Sequence, residues 1–178
     1  MSNGEIESNA SVLIIAGSET SRCLSSHFSH SILRIVAATL LSGLTYHLLR
    51  NPHVLQTLTS LIRTAFPLEA DINMVAVQQL HYLNACIEEG LRVYPPGAAG
   101  FPRMAPEGGA MVCGRFVPAG TAVYVTQYAA HVSASNFTGP KDFVPERWLA
   151  NPPARYADDN RKAMQPFSVG PRNCIGRK

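Results

Sequence analysis

A chain of 178 residues, 46% of them hydrophobic, is long enough to bury the core of one ordinary domain. Its 15 Lys and Arg against 12 Asp and Glu give a formal charge of +3 with no basic run, so a nucleic-acid partner is not expected. Cys23, Cys86, Cys113 and Cys174 form no C-x-x-C pair and follow no signal peptide, which argues against a zinc ribbon or a disulfide framework and for reduced thiols in a cytosol-facing protein.

In chain order, Glu5–Ser21 reads as a helix, with Ser2 or Asn3 as its cap, Glu5 and Glu7 suiting its positive end, and Val12, Leu13, Ile15 and Ala16 apolar. Its last turns read Ala16-Gly17-Ser18-Glu19-Thr20-Ser21. Arg22–Ala37 follows, carrying Cys23, His27 and His30, which lack a fourth ligand and match no common metal-site spacing. The longest apolar tract, Ile32–Leu49, is interrupted by Arg34 and His47, so a membrane span is not expected.

Ala38–Arg50 reads as a helix that stops at Asn51-Pro52, and His53–Phe66 as another, with Leu55, Leu58, Leu61 and Ile62 on one side. After a turn over Pro67–Asp71, Met74–Val93 carries Leu80, Leu83, Ile87 and Leu91 at helical spacing and ends at Tyr94-Pro95-Pro96. Glu89 and Arg92 lie three residues apart on that helix and can pair on one face; such a pair is more often surface decoration.

The chain then turns to strands. Gly108-Gly109 offers a hairpin turn, Met111–Cys113 and Arg115–Val117 flank Gly114, and Thr121–Thr126 reads as a strand after Pro118-Ala119-Gly120. His47, His53, His81 and His131 sit singly and read as ordinary helix or loop residues.

The last segment concentrates the chemistry: Pro166-Phe167-Ser168-Val169-Gly170-Pro171-Arg172-Asn173-Cys174-Ile175-Gly176. A thiolate needs positive charge or hydrogen-bond donors beside it. A glycine-permitted turn can aim backbone N–H groups at the sulfur with no Cβ in the way. A buried structural cysteine would explain Cys174 alone, but not Phe167, Gly170, Arg172 and Gly176 at their fixed offsets. The pattern Phe-x-x-Gly-x-Arg-x-Cys-x-Gly resembles the haem-binding loop of the cytochrome P450 family.

That resemblance extends along the chain by motifs in the family's order. The segment Ala16–Ser21 is similar to the signature of the helix over the distal haem face, which implies that Glu19 and Thr20 organise water for proton delivery. Glu89-Gly90-Leu91-Arg92 resembles the family's Glu-x-x-Arg motif, and Phe143-Val144-Pro145-Glu146-Arg147-Trp148 resembles the loop whose arginine joins it, so Glu89, Arg92 and Arg147 are expected to form one buried network. The resemblance further implies haem b with Cys174 as its axial thiolate ligand, Phe167 packed under the loop, and propionate contacts from Arg172 and Arg103. A solvated strand-edge arginine remains open for Arg103, and a place near a propionate for His131.

Arg22–Ala37 departs from the family pattern. Sixteen helical residues would displace the two halves of the distal helix by about 24 Å and turn them by about 160°. The stretch is read as an insertion, a translated short intron or a gene-model artefact. The expected fold is mainly α with small β-sheets, over a partial cytochrome P450 domain that lacks the N-terminal half and the helix after the cysteine loop.

By resemblance the function is monooxygenation: one oxygen atom of O2 enters a small apolar substrate, with electrons from an NADPH-dependent reductase. Full-length relatives are often anchored to the endoplasmic reticulum. The alternative is a truncated, non-catalytic remnant with little or no haem binding, and the chain by itself is read as too incomplete to turn over.

Overall fold

The computed structural model of the chain describes residues 30–174. The expected helix Glu5–Ser21, with Glu19 and Thr20, and also Cys23, His27 and Gly176, lie outside the described residues. The order of elements is α1 (His30–Arg50), α2 (Pro52–Ala65), a 3-10 turn (Glu69–Asp71), α3 (Met74–Gln78), α4 (His81–Val93), β1 (Arg103–Met104), β2 (Ala110–Val112), β3 (Arg115–Val117), β4 (Ala122–Val123) and α5 (Gln127–His131), followed by further short 3-10 turns. The fold is helix-rich with two small antiparallel sheets, as the resemblance implies.

Helix α1 begins at His30, not at Ala38: neither Gly nor Pro interrupts the chain before Gly43, so the second half of the Arg22–Ala37 stretch continues the helix without a break. It ends where Pro52 forces Asn51 out of helical geometry (φ −123°, ψ 74°), and Asn51 Nδ2 caps it by donating to the His47 carbonyl at 2.7 Å. Pro52 then starts α2, where its missing N–H costs nothing.

The single helix expected over Met74–Val93 is two helices. Asn73 caps α3, its side chain accepting from Ala76 N at 3.0 Å. Leu80, at φ −78° and ψ 85°, leaves the helical region and stands at the N-cap of α4. Asn84 Nδ2 donates to the Gln78 carbonyl at 2.8 Å and so satisfies an acceptor freed by the break.

Helix α4 is the centre of the molecule. Tyr82, Ala85, Cys86, Glu89 and Arg92 are buried along it at three- and four-residue spacing. One core joins Tyr82 and Cys86 to Leu44 of α1, Val54 and Leu58 of α2, and Phe143. A second joins Leu91 to Phe137 and Met164. The α1–α4 crossing is close because of two glycines: a Cβ on Gly90 would stand 3.3 Å from Leu44 Cδ1, and one on Gly43 would enter the Tyr94 ring.

In the hairpin, Ala110 pairs with Val117, Met111 with Phe116 and Val112 with Arg115. Cys113, expected in the strand, instead forms the turn with Gly114, at φ 49° and 78°. Two successive positive φ values are those of a two-residue turn whose twist matches the flanking strands. Of the strand expected over Thr121–Thr126 only Ala122–Val123 pairs, with Arg103–Met104 of β1.

Candidate functional site

Glu89 is fully buried on α4. Its carboxylate accepts five hydrogen bonds: from Arg92 Nε and Nη2, Val144 N and Trp148 Nε1, each at 2.8 Å, and from Arg147 Nε at 3.2 Å. Arg92 Nη1 donates to the carbonyls of His131 at 2.9 Å and Pro140 at 2.6 Å, and Nη2 to that of Asp142 at 2.8 Å. Arg147 Nη1 donates to the Thr138 carbonyl at 3.2 Å and to Asp159 Oδ2.

Phe137 lies in contact with both cations, 5.1 Å from the Arg92 guanidinium carbon and 5.9 Å from that of Arg147. Tyr156 lies 4.7 Å from Arg147. The structure therefore brings Glu89, Arg92 and Arg147 together, and it adds Asp159 and Trp148, which sequence reasoning missed. Trp148 directly follows Arg147, but an aromatic there reads equally as core. Asp159 lies in an Asp-Asp-Asn run that reads as a solvated turn.

A tight loop leads from this cluster to Cys174. Phe167 packs on the Leu91–Phe137–Met164 core, and its carbonyl accepts from Cys174 N at 2.8 Å, closing the loop. Gly170, at φ 77°, opens the 3-10 turn Gly170–Arg172, and Asn173 N returns to the Gly170 carbonyl at 3.1 Å. The Cys174 thiol is exposed at the end of this loop. Arg172 contributes its backbone to the turn. Arg103 is exposed on β1 and donates from Nη1 to the Pro102 carbonyl at 3.2 Å.

This donor set fits a thiolate-ligated haem: a soft ligand is presented outward by a hydrogen-bonded loop whose aromatic anchor is fixed inside. The other described thiols do not compete. Cys86 is buried, and burial pushes its pKa up to about 12, so it stays protonated. Cys113 is exposed, but on the hairpin turn. Among the described residues, no group of three or more His, Cys, Asp or Glu could hold a metal ion, and no helix is long and apolar enough to cross a membrane.

The comparison with known families decides the identity: the family model for cytochrome P450 matches residues 1–178. The chain belongs to the cytochrome P450 family. It is 47% identical over 177 residues to cytochrome P450 monooxygenase efuB of Hormonema carpetanum, covering 99% of this chain and 32% of that protein. The monooxygenase aclL of Aspergillus oryzae is 48% identical over the same shares, and averantin hydroxylase of Dothistroma septosporum is 45% identical over all of this chain and 30% of its own length. The chain thus spans about a third of the length of the curated relatives it matches. A crystal structure of a mutant cytochrome P450DA haem domain superposes with a TM-score of 0.69 at 25% identity, over 80% of this chain and 31% of that one. Membership in the P450 family implies a haem cofactor.

His131 stands apart from the network that its carbonyl joins. Its ring is fully buried, and neither ring nitrogen has a hydrogen-bond partner among the described residues. Burial lowers its pKa from the ordinary 6.5, and burial likewise lowers that of His47. A histidine held neutral in the fold takes up a proton on unfolding, so its contribution to stability is complete above pH 6.5 and is lost as pH falls below it. Urea unfolding across this range should show stability falling by up to about 1.4 kcal/mol per pH unit through His131, with a smaller part from the half-buried His47. His131→Leu should remove its share of that slope; an unaltered slope would show that another group carries it.

Proposed function

We propose that this chain carries the thiolate-ligand part of a haem-dependent monooxygenase that inserts one oxygen atom of O2 into a small apolar substrate. The observation that supports the reading is the exposed Cys174 thiol on a loop closed by its own N–H to the Phe167 carbonyl and rooted in the core beside the two arginines.

In this reading Cys174 ligates the iron of haem b, and Phe167 and Gly170 hold the loop in shape. Glu89, Arg92 and Arg147 fix α4 to the segment behind the loop, so that the sulfur is held in one place. The haem, when bound, supplies dioxygen activation with electrons from an NADPH-dependent reductase. Arg172 and Arg103 offer guanidinium groups to the propionates, and Glu19 and Thr20 pass protons to the distal side. Monooxygenation, the reductase and a cytosol-facing placement are proposed of the whole protein.

The test is to titrate the chain with haem, reduce it and add carbon monoxide. A thiolate-type Soret band is expected. Free-haem absorption alone, from a chain that still unfolds cooperatively, would overturn the ligand assignment.

A further inference from the structure

The buried network contains a second carboxylate whose place in the chain gives it a separate task. Arg92 is satisfied by Glu89 and three carbonyls. Arg147 reaches Glu89 only through Nε, at 3.2 Å, and its remaining paired group turns to Asp159. The Asp159 side chain is 1% exposed, and two guanidiniums thus meet two carboxylates with the charge balanced.

Asp159 also ties backbone to backbone. Its Oδ1 accepts from Thr138 N at 2.7 Å, while the Thr138 carbonyl accepts from Arg147 Nη1 at 3.2 Å, which closes a ring through three residues. Next door, Asn160 N donates to the Asn136 carbonyl at 2.7 Å. From there the chain makes one 3-10 turn, Arg161–Ala163, buries Met164 against Phe137, and reaches Phe167 and the Cys174 loop.

We propose that Asp159 is a positioning residue for Cys174: it clamps the start of the segment that carries the cysteine loop onto Arg147, so that the sulfur inherits its placement from the buried network. The functional meaning of the clamp rests on Cys174 being the haem ligand. The clamp itself does not.

Amide hydrogen exchange on the haem-free chain tests it, because Cys174 N reports closure of the loop through its bond to Phe167. In Asp159→Asn, which keeps the size and an acceptor but loses the charge, Cys174 N should exchange about tenfold faster or more, while amides in the Val54–Leu58 stretch of α2 change by less than about threefold. Asp159→Glu should return Cys174 N to within about threefold of the parent rate. An unchanged Cys174 amide, or equal acceleration in α2, would overturn the proposal.

If the Asn variant does not fold, the parent chain in rising urea gives the answer. The Thr138 and Cys174 amides should be released in one step that precedes α4, and separate steps would overturn the clamp. Haem titration of the same proteins separates the two readings. A parent chain that shows the exchange pattern but no thiolate spectrum would support the clamp and overturn the ligand assignment.

Discussion

Glu89→Gln is expected to abolish cooperative unfolding of the chain. The carboxylate at this position accepts all five of its hydrogen bonds from N–H groups, two of them from the Arg92 fork. An amide offers one oxygen and turns an NH2 group toward the remaining donors, so part of the cluster becomes donor against donor. The substitution also leaves Arg92 and Arg147, both fully buried, with Asp159 as the one remaining carboxylate in the network. Breaking a buried pair in this way costs about 3–5 kcal/mol, against a total stability of about 5–15 kcal/mol for an ordinary domain. Circular dichroism through a urea titration is the measurement. Arg147→Ala should fail in the same manner, whereas Glu89→Asp, which keeps the charge on a shorter arm, should retain a transition at lower urea. A Gln variant with the parental midpoint would mean that the five bonds do not act as one unit.

Cys174→Ala should remove the thiolate-type band completely from the haem-loaded, reduced, CO-bound protein. A methyl group cannot ligate iron, and the neighbouring described residues of the loop, from Phe167 to Asn173, include no soft anionic donor. Cys86 cannot substitute, since burial holds it protonated within the α1–α2–α4 core. Cys113→Ser is the matched control, removing the other exposed described thiol, and should leave the spectrum as it was. The loop itself should survive in the alanine variant, because its closing bond uses backbone N–H and C=O groups. A variant that keeps the band would show that another residue is the ligand, and a control that loses it would point to Cys113.

Much of the network was legible because its members are charged side chains at fixed spacing. Glu89 and Arg92 share a helix face by simple periodicity, and Arg147 sits in a recognisable Pro-Glu-Arg-Trp loop. What stayed hidden has a physical explanation. Arg92 finds His131, Pro140 and Asp142 through their carbonyls, and every residue type offers a carbonyl. Asp159 was indistinguishable from its exposed neighbour Asp158, because only the folded chain decides which of two adjacent aspartates meets a guanidinium. Nothing in the sequence around His131 signals a ring that is buried with no hydrogen-bond partner among the described residues. The break at Leu80 is accompanied by Asn84 reaching back to Gln78, and the apolar spacing of Leu80, Leu83 and Ile87 runs through it undisturbed. Cys113 follows Met111 and Val112 in a strand-forming run, and only the folded chain shows that it shares the turn with Gly114.

The bonds to Glu89 also set a timetable for synthesis. Its donors Val144, Arg147 and Trp148 lie 55, 58 and 59 residues downstream. A ribosome adding about 5–20 residues per second delivers them roughly 3–12 s after Glu89 itself has been made. Throughout that interval α4 carries an ion pair designed for a dry interior on a nascent chain that cannot yet exclude water from it. The helix can form locally in that time and dock on α1 and α2, but its ion pair is enclosed only once Val144, Arg147 and Trp148 have been made.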